Sequence, residues 1–328
     1  MIFISGCDRS GHVCWYKIIE VNGLNNILVS GLINIETTLQ IDGFPVPYFP
    51  VRYPFFGVNS TVSAVGYNVA KALTVLGNNI NFLSIIGRDL AGELVKKTLD
   101  IDNIPGYYVI QLIDKTAQSV ILFDKDGKRQ INVDLKDIQE QIYPEELFLE
   151  AIKDCSLSVL CNINFSRPFL RKAKEMNKLI ATDVHVISNL YDEYNQDFMR
   201  YADILFMSDE GLPCHPVEWV KELLNVYGTE IIAVGLGRDG VLLSVRKDNF
   251  IERIPAVYTR NVVNTIGAGD AVFSSFVHFY NKTGDPYEAI KKAVVFASYK
   301  IGCHGAAEGF LDEHTLNELC SGIYKPGK

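Results

Sequence analysis

The sequence predicts an α/β fold: a doubly wound, mostly parallel sheet flanked by helices, with a small β-sheet added as a lid. Three observations predict it. After Tyr143, apolar runs of strand length alternate regularly with segments of helical period. Two groups of strand-like residues, within 32–56 and 107–134, fall outside that alternation. Late in the chain a glycine loop, Asn264-Thr265-Ile266-Gly267-Ala268-Gly269-Asp270-Ala271, separates the apolar pair Val262-Val263 from Val272, Phe273, Phe276 and Val277, and reads as strand end, loop and helix start.

Composition bounds the function. With 328 residues, 48% of them hydrophobic, the chain has material for one large α/β unit with an appendage or for two domains. A net charge of −8 argues against a nucleic-acid partner, which favours a basic face. Seven cysteines, an odd number, and no recognisable leader predict a reducing, cytoplasmic setting, and no apolar stretch approaches the length of a membrane span.

Residues 1–26 read as an N-terminal extension whose Cys7, His12 and Cys14 do not complete a zinc set. Ile27–Ser30 is a buried strand running into Gly31-Leu32-Ile33-Asn34-Ile35-Glu36, and Asn34 and Glu36 share one face of the continuing strand. Four prolines between Phe44 and Phe56 exclude a central strand or helix and suggest edge segments or a flap. Tyr48, Phe49, Tyr53, Phe55 and Phe56 within it suit the core of a lid, the seam of a homodimer formed through the lid, or a stacking surface for a base or sugar ring. Val65, Val69, Ala72, Leu73 and Leu76 predict a helix that Gly77 stops. Asn81–Ile86 is a strand, and Asp89 caps a helix that turns Leu90, Leu94, Val95 and Leu99 inward. Ser119–Phe123 and Arg129–Val133 flank a hairpin turn, Asp124–Gly127.

Helices at Leu147–Ile152, Pro168–Met176, Leu190–Tyr201 and Val217–Tyr227 then alternate with strands at Ser158–Cys161, Leu179–Val184, Ile204–Met207 and Ile231–Val234. Sheets of this kind bind ligands at the C-terminal ends of their strands. Arg52, Arg129 and Arg167 have the chemistry to grip an acidic or phosphorylated substrate, but each reads first as solvated surface.

The glycine loop carries the chemistry. Gly267 and Gly269 have no Cβ to hold a ligand away, and a helix beginning there aims free N–H groups and its positive dipole end at an anion. Asp270 would repel a phosphate unless a substrate hydroxyl sits between them and gives up its proton as a phosphoryl group arrives, which is the chemistry of a small-molecule kinase. The spacing excludes a dinucleotide fingerprint, because Val272 stands where the third glycine belongs. It also excludes a Walker loop, because Gly127-Lys128 is followed by Arg129.

This stretch resembles the C-terminal signature of the ribokinase-like (PfkB) carbohydrate kinase family, Asp-Thr-x-Gly-Ala-Gly-Asp, with Asn264 for the first Asp. The resemblance covers roughly residues 27 to 321 and leaves 322–328 as a tail. Gly31–Glu36 is similar to the family's first strand, where Asn and Asp hold the sugar, with Glu36 one methylene longer. Gly66, Asn68 and Ala70 fit the first signature, Gly-Gly-x-x-x-Asn-x-Ala, in which Ser63 and Ala64 stand for the two leading glycines. Gly87, Asp89 and Gly92 match a Gly-x-Asp-x-x-Gly run, read as packing and capping. Gly235, Gly237 and Gly240 resemble the segment near the ATP phosphates, Thr265 belongs to the signature, and Gly305 and Ala306 resemble the wall of the adenine pocket. Ser208–Gly211 stands where relatives have an Asn-x-x-Glu segment tied to magnesium, but neither end residue matches, so no metal ligand is assigned.

The resemblance implies transfer of the γ-phosphate of ATP, with Mg²⁺, to a hydroxymethyl group of a sugar or sugar derivative. Asp270 would be the base and Gly267, Ala268 and Gly269 the anion hole. Asn34, Glu36, Gly66 and Asn68 would bind the substrate. Relatives often need a monovalent cation near the first Asp of the signature, and Asn264 removes a charge there, so K⁺ is a weaker expectation than Mg²⁺. A nucleoside kinase of the same family, and a non-catalytic sugar- or nucleotide-binding regulator on the same fold, are the alternatives.

Overall fold

Along the first long strand successive side chains point to opposite faces of the sheet, and both faces are covered. Ile27 and Val29 pack into one apolar layer and Leu28 into the other, all fully buried. This computed structural model describes residues 3–7, 13–17 and 26–324, with side chains from residue 26 onward. Cys7 and Cys14 therefore fall in strands described by their backbone alone, and His12 lies outside the described residues.

The elements run β1 (Phe3–Cys7), β2 (Val13–Lys17), β3 (Asn26–Ser30), β4 (Asn34–Gln40), β5 (Val58–Ser63), α1 (Val65–Val75), β6 (Asn79–Gly87), α2 (Leu90–Ile101) and β7 (Val109–Ile113). There follow β8 (Gln118–Phe123), β9 (Arg129–Asp134), α3 (Glu145–Ile152), β10 (Leu157–Leu160), α4 (Arg167–Glu175), β11 (Leu179–Asp183), α5 (Gln196–Tyr201) and β12 (Ile204–Ser208). The last are α6 (Pro216–Tyr227), β13 (Ile231–Gly235), β14 (Val241–Val245), β15 (Phe250–Ile254), α7 (Ala268–Thr283), α8 (Pro286–Lys300) and α9 (Glu313–Ile323).

Nine strands form the central sheet in the order β15-β14-β13-β12-β11-β10-β3-β6-β7, and all pair in parallel except the β13-β14-β15 end. From β3 the chain winds outward to β6 and β7. It then returns to β10 on the other side and winds through β11, β12 and β13. The order reverses at β3 and β10, where the C-terminal strand ends part into a crevice. Helices α1, α2, α7, α8 and α9 pack on one face of the sheet and α3 to α6 on the other. α7 is buried on nearly all sides, from Ala271 through Phe279, because α1, α8 and the sheet surround it.

Strands β4, β5, β8 and β9 make a separate four-stranded sheet in the order β5-β4-β8-β9, with β4 and β8 parallel. It differs from the expected lid in two respects. Residues 44–56 contribute no strand, whereas β5 at 58–63 does. Val109–Ile113 joins the edge of the central sheet instead, because it pairs with β6 directly after α2.

Other expectations are corrected too. Leu90 and Leu94 are 89% and 49% exposed, since α2 turns Gly92, Val95 and Leu99 to the core. Residues 190–195 form turns held by the Asn189 and Asp192 side chains, so the helix predicted from Leu190 starts only at Gln196. Val262 and Val263 are exposed and belong to no strand. Arg167 is not solvated surface: it is wedged between Tyr194 and Phe198 and bonded to Asp197, Asn164 and the Tyr194 carbonyl. The capping reading of Asp89 holds, and its carboxylate accepts from the Gly92 N–H and the Thr116 hydroxyl. Among the described residues no helix is long and apolar enough to cross a membrane.

Candidate active site

Gly267 makes the loop possible. Its φ of 75° lies in the left-handed region, and a Cβ there would fall 2.5 Å from the Ala306 carbonyl oxygen, so only glycine lets the two backbones meet. The turn delivers α7 with Asp270 in its first turn. Around Gly269 there is nothing within 4 Å of where a Cβ would stand, which leaves the helix start open. The Ala268 N–H already donates to the Thr265 carbonyl at 3.1 Å, so of the three donors expected for an anion Ala268 is occupied. Asn264 pins the loop: its Oδ1 accepts from the Ile266 N–H at 3.0 Å, and its Nδ2 donates to the His304 carbonyl at 2.5 Å.

Asp270 meets the other half of the site through Asn68. The Asn68 Nδ2, on α1, donates to the Asp270 Oδ2 at 2.7 Å across 202 residues of sequence. Burial pushes the Asp270 carboxyl up, against the Asn68 bond and the nearby His185 and Lys300, while Asp183 adds to the rise. Asp183 ends β11, and Cys161, whose thiol is raised by burial and by these two carboxylates, follows β10. Asp270 thus stands over the crevice at the reversal of strand order.

Asn34 and Glu36 come off the end of β3 on β4 and face inward, 2% and 7% exposed. Asn34 donates to the Ser119 hydroxyl at 3.0 Å, yet its Oδ1 and the Glu36 Oε1 are buried without a hydrogen-bond partner. Burial raises the Glu36 carboxyl to about 6, opposed by the Ser63 hydroxyl and reinforced by Asp270. Two buried acceptors left open beside a carboxylate and an open helix start fit a polyhydroxylated ligand that brings its own donors.

The remaining predicted residues take the following places. Gly66 is a packing residue: a Cβ on it would lie 2.5 Å from the Gly31 backbone, so it lets α1 seat against the end of β3. Gly235 ends β13 beside Ser208, and Gly237 opens the following turn with φ 55°. Gly240, at φ 101°, is needed because the Ile254 carbonyl would lie 2.1 Å from a Cβ. Gly305 donates its N–H to Glu308 at 2.9 Å, and Ala306 packs with Ile266 and with Ile121 of the small sheet. Thr265 receives Arg129, which reaches from β9 to its carbonyl and hydroxyl at 3.4 and 3.3 Å and so is more than surface charge. The aromatic run stands in solvent, with Tyr48 88% and Phe55 85% exposed, and does not form a buried lid core.

Sequence reasoning missed Lys300. Its side chain is fully buried behind the loop and donates to the Ile266 carbonyl. The signal was present in the pattern, since Lys300 falls three, four and seven residues after Ala297, Phe296 and Ala293, on the apolar face of α8.

The chain matches the pfkB family carbohydrate kinase description over residues 58–313. It is 25% identical over 270 residues to a deoxyribokinase of Salmonella typhi, covering 78% of this chain and 86% of that one. It is 24% identical over 328 residues to a ribokinase of Dictyostelium discoideum, covering 89% and 99%. Among solved structures a microbiome-derived acarbose kinase superposes with a TM-score of 0.81 at 25% identity, over 90% of this chain and 98% of that one. With the fold, the glycine loop and a match over most of its length in agreement, the chain belongs to the pfkB family of carbohydrate kinases.

Proposed function

We propose that the protein transfers the γ-phosphate of ATP to a hydroxymethyl group of a sugar or sugar derivative, with Asp270 as the general base. The observation that carries this reading is the hydrogen bond from Asn68 to Asp270, at the start of α7, with Glu36 close enough to feel the Asp270 charge and with the Glu36 Oε1 and Asn34 Oδ1 buried and open. Substrate hydroxyls donate to Asn34 Oδ1 and Glu36 Oε1, and this fixes the reacting hydroxyl beside the Asp270 carboxylate. Asp270 takes its proton as the phosphoryl group arrives. The helix start and the glycine N–H groups stabilise the charge that spreads over the phosphoryl oxygens.

Kinases of this family use ATP with Mg²⁺. The helix start suits a phosphate, because the space beside Gly269 is open, while Gly267 takes the left-handed turn that brings the loop against Ala306. Among the described residues no group of three His, Cys, Asp or Glu side chains stands ready for a metal, so Mg²⁺ would be held chiefly by the donor's phosphates and water. The aromatic run at 48–56 would be the seam of a homodimer.

The test is ATP consumption with Mg²⁺ across a panel of sugars, sugar acids and nucleosides, beside Asp270→Asn. One accepted class whose turnover falls on the order of 10²- to 10⁴-fold in Asp270→Asn is expected. A pentose compared with its own nucleoside separates sugar from nucleoside kinase. Absence of turnover with sugar still binding would favour the non-catalytic alternative.

A further inference from the structure

A lysine in the core needs a reason, since an ammonium loses its hydration on burial. Lys300 has no exposed surface, and its ammonium donates to the carbonyl of Ile266, directly before the Gly267 turn. Asp270, Cys303, Glu308 and Glu36 all act on it through space to favour its charge, and burial leaves it at about 8, so it is a cation at neutral pH. The same charge acts back on Asp270 and Glu36. Lys300 therefore ties together the loop, the base and the substrate carboxylate.

The surroundings do not fit a bound monovalent cation. Such an ion needs several carbonyl oxygens converging on it, usually with a carboxylate. Here Asn264 supplies an amide in place of a carboxylate. Its N–H is already on the His304 carbonyl, and the Lys300 ammonium is on the Ile266 carbonyl. The two segments that meet at this point are further joined by the Val263 and Asn264 N–H groups on the Ile301 carbonyl, at 2.8 and 3.2 Å.

We propose that the Lys300 ammonium is a built-in replacement for a monovalent cation: a positioning residue that fixes the Ile266 carbonyl and places a covalently held positive charge behind the glycine loop. The proposal rests on the kinase reading for its effect on turnover, but the ion site itself is testable without turnover. Removing the side chain would leave a cavity with an unpaired carbonyl, close to three carboxylates. A small cation fits that cavity.

The experiment compares wild type, Lys300→Ala and Lys300→Met in choline, sodium, potassium and methylammonium chlorides at one ionic strength, and reads both melting temperature and turnover. Wild type is expected to show the same melting temperature and rate in potassium as in choline. Lys300→Ala is expected to melt several degrees lower in choline and to recover specifically in potassium or methylammonium. Its kcat should fall about 100-fold in choline and regain at least tenfold with the same ions. Lys300→Met, which fills the cavity with apolar atoms, is expected to stay slow in every salt. Strong potassium dependence of wild-type melting or rate would overturn the proposal. So would a folded Lys300→Ala that is fully active in choline, or one that no cation stabilises. If no acceptor turns over in any salt, the kinase reading fails, while ion-specific recovery of melting temperature in Lys300→Ala still upholds the internal cation.

Discussion

At the scale of single residues, the departures from the family pattern are where the structure is most informative. Ala64 replaces a glycine of the first signature, yet its backbone keeps φ 86° and ψ 157°, a region essentially reserved for glycine. The junction of β5 and α1 demands that conformation, because α1 must turn back at once to set Gly66 against Gly31. Strain there costs on the order of 1–3 kcal/mol, offset in part by the lower chain entropy of unfolded alanine. Ala64→Gly is expected to raise stability by about 1 kcal/mol in urea unfolding, and an unchanged or lowered midpoint would show that the surroundings have relaxed around the methyl group. Nothing in the residue string marks Ala64 as strained; only the resemblance to a glycine-bearing signature points at it.

At the scale of elements, α7 is held by a buried histidine. His278 Nδ1 accepts from Asn78 Nδ2 at 2.8 Å, in the turn between α1 and β6, and its Nε2 faces Glu313 of α9 at 3.3 Å. Burial lowers the imidazole from 6.5 to about 4, against the pull of Glu313. The unfolded chain therefore binds the proton more readily than the folded one. The resulting stability is full above pH 6.5 and is lost as pH falls toward 4, roughly 3 kcal/mol at most. Glu313, whose carboxyl is held low by Lys282 and His278 despite its partial burial, loses stability in the same direction at more acidic pH. The urea midpoint should drop between pH 7 and 5, and His278→Gln should flatten that drop; equal slopes in the two proteins would place the acid loss elsewhere. The histidine was legible only as one more member of an apolar helix.

At the scale of the molecule, the small sheet reaches the glycine loop through Ile121 and Arg129, so it is in direct contact with the site. Its outer run leaves Tyr48, Phe49, Tyr53, Phe55 and Phe56 more than half exposed, more apolar surface in one place than a monomer usually keeps. A dimer is expected by sedimentation, and Phe55→Asp should shift it toward monomer without unfolding; a wild-type monomer at micromolar concentration would remove the dimer. The sequence by itself determined the alternation of strand and helix, the glycine loop and its aspartate, because local periodicity and backbone freedom are written residue by residue. It also placed Asn34, Glu36 and Asn68 as candidates, through the signatures they sit in. Only the tertiary structure decided that β5 and not the proline run completes the small sheet, and that Ala268 is already bonded while Gly66 packs. It alone brought Asn68 to Asp270 and Lys300 to Ile266, since these contacts join residues 202 and 34 positions apart, and what a buried charge faces is set by the fold around it rather than by its neighbours in the chain.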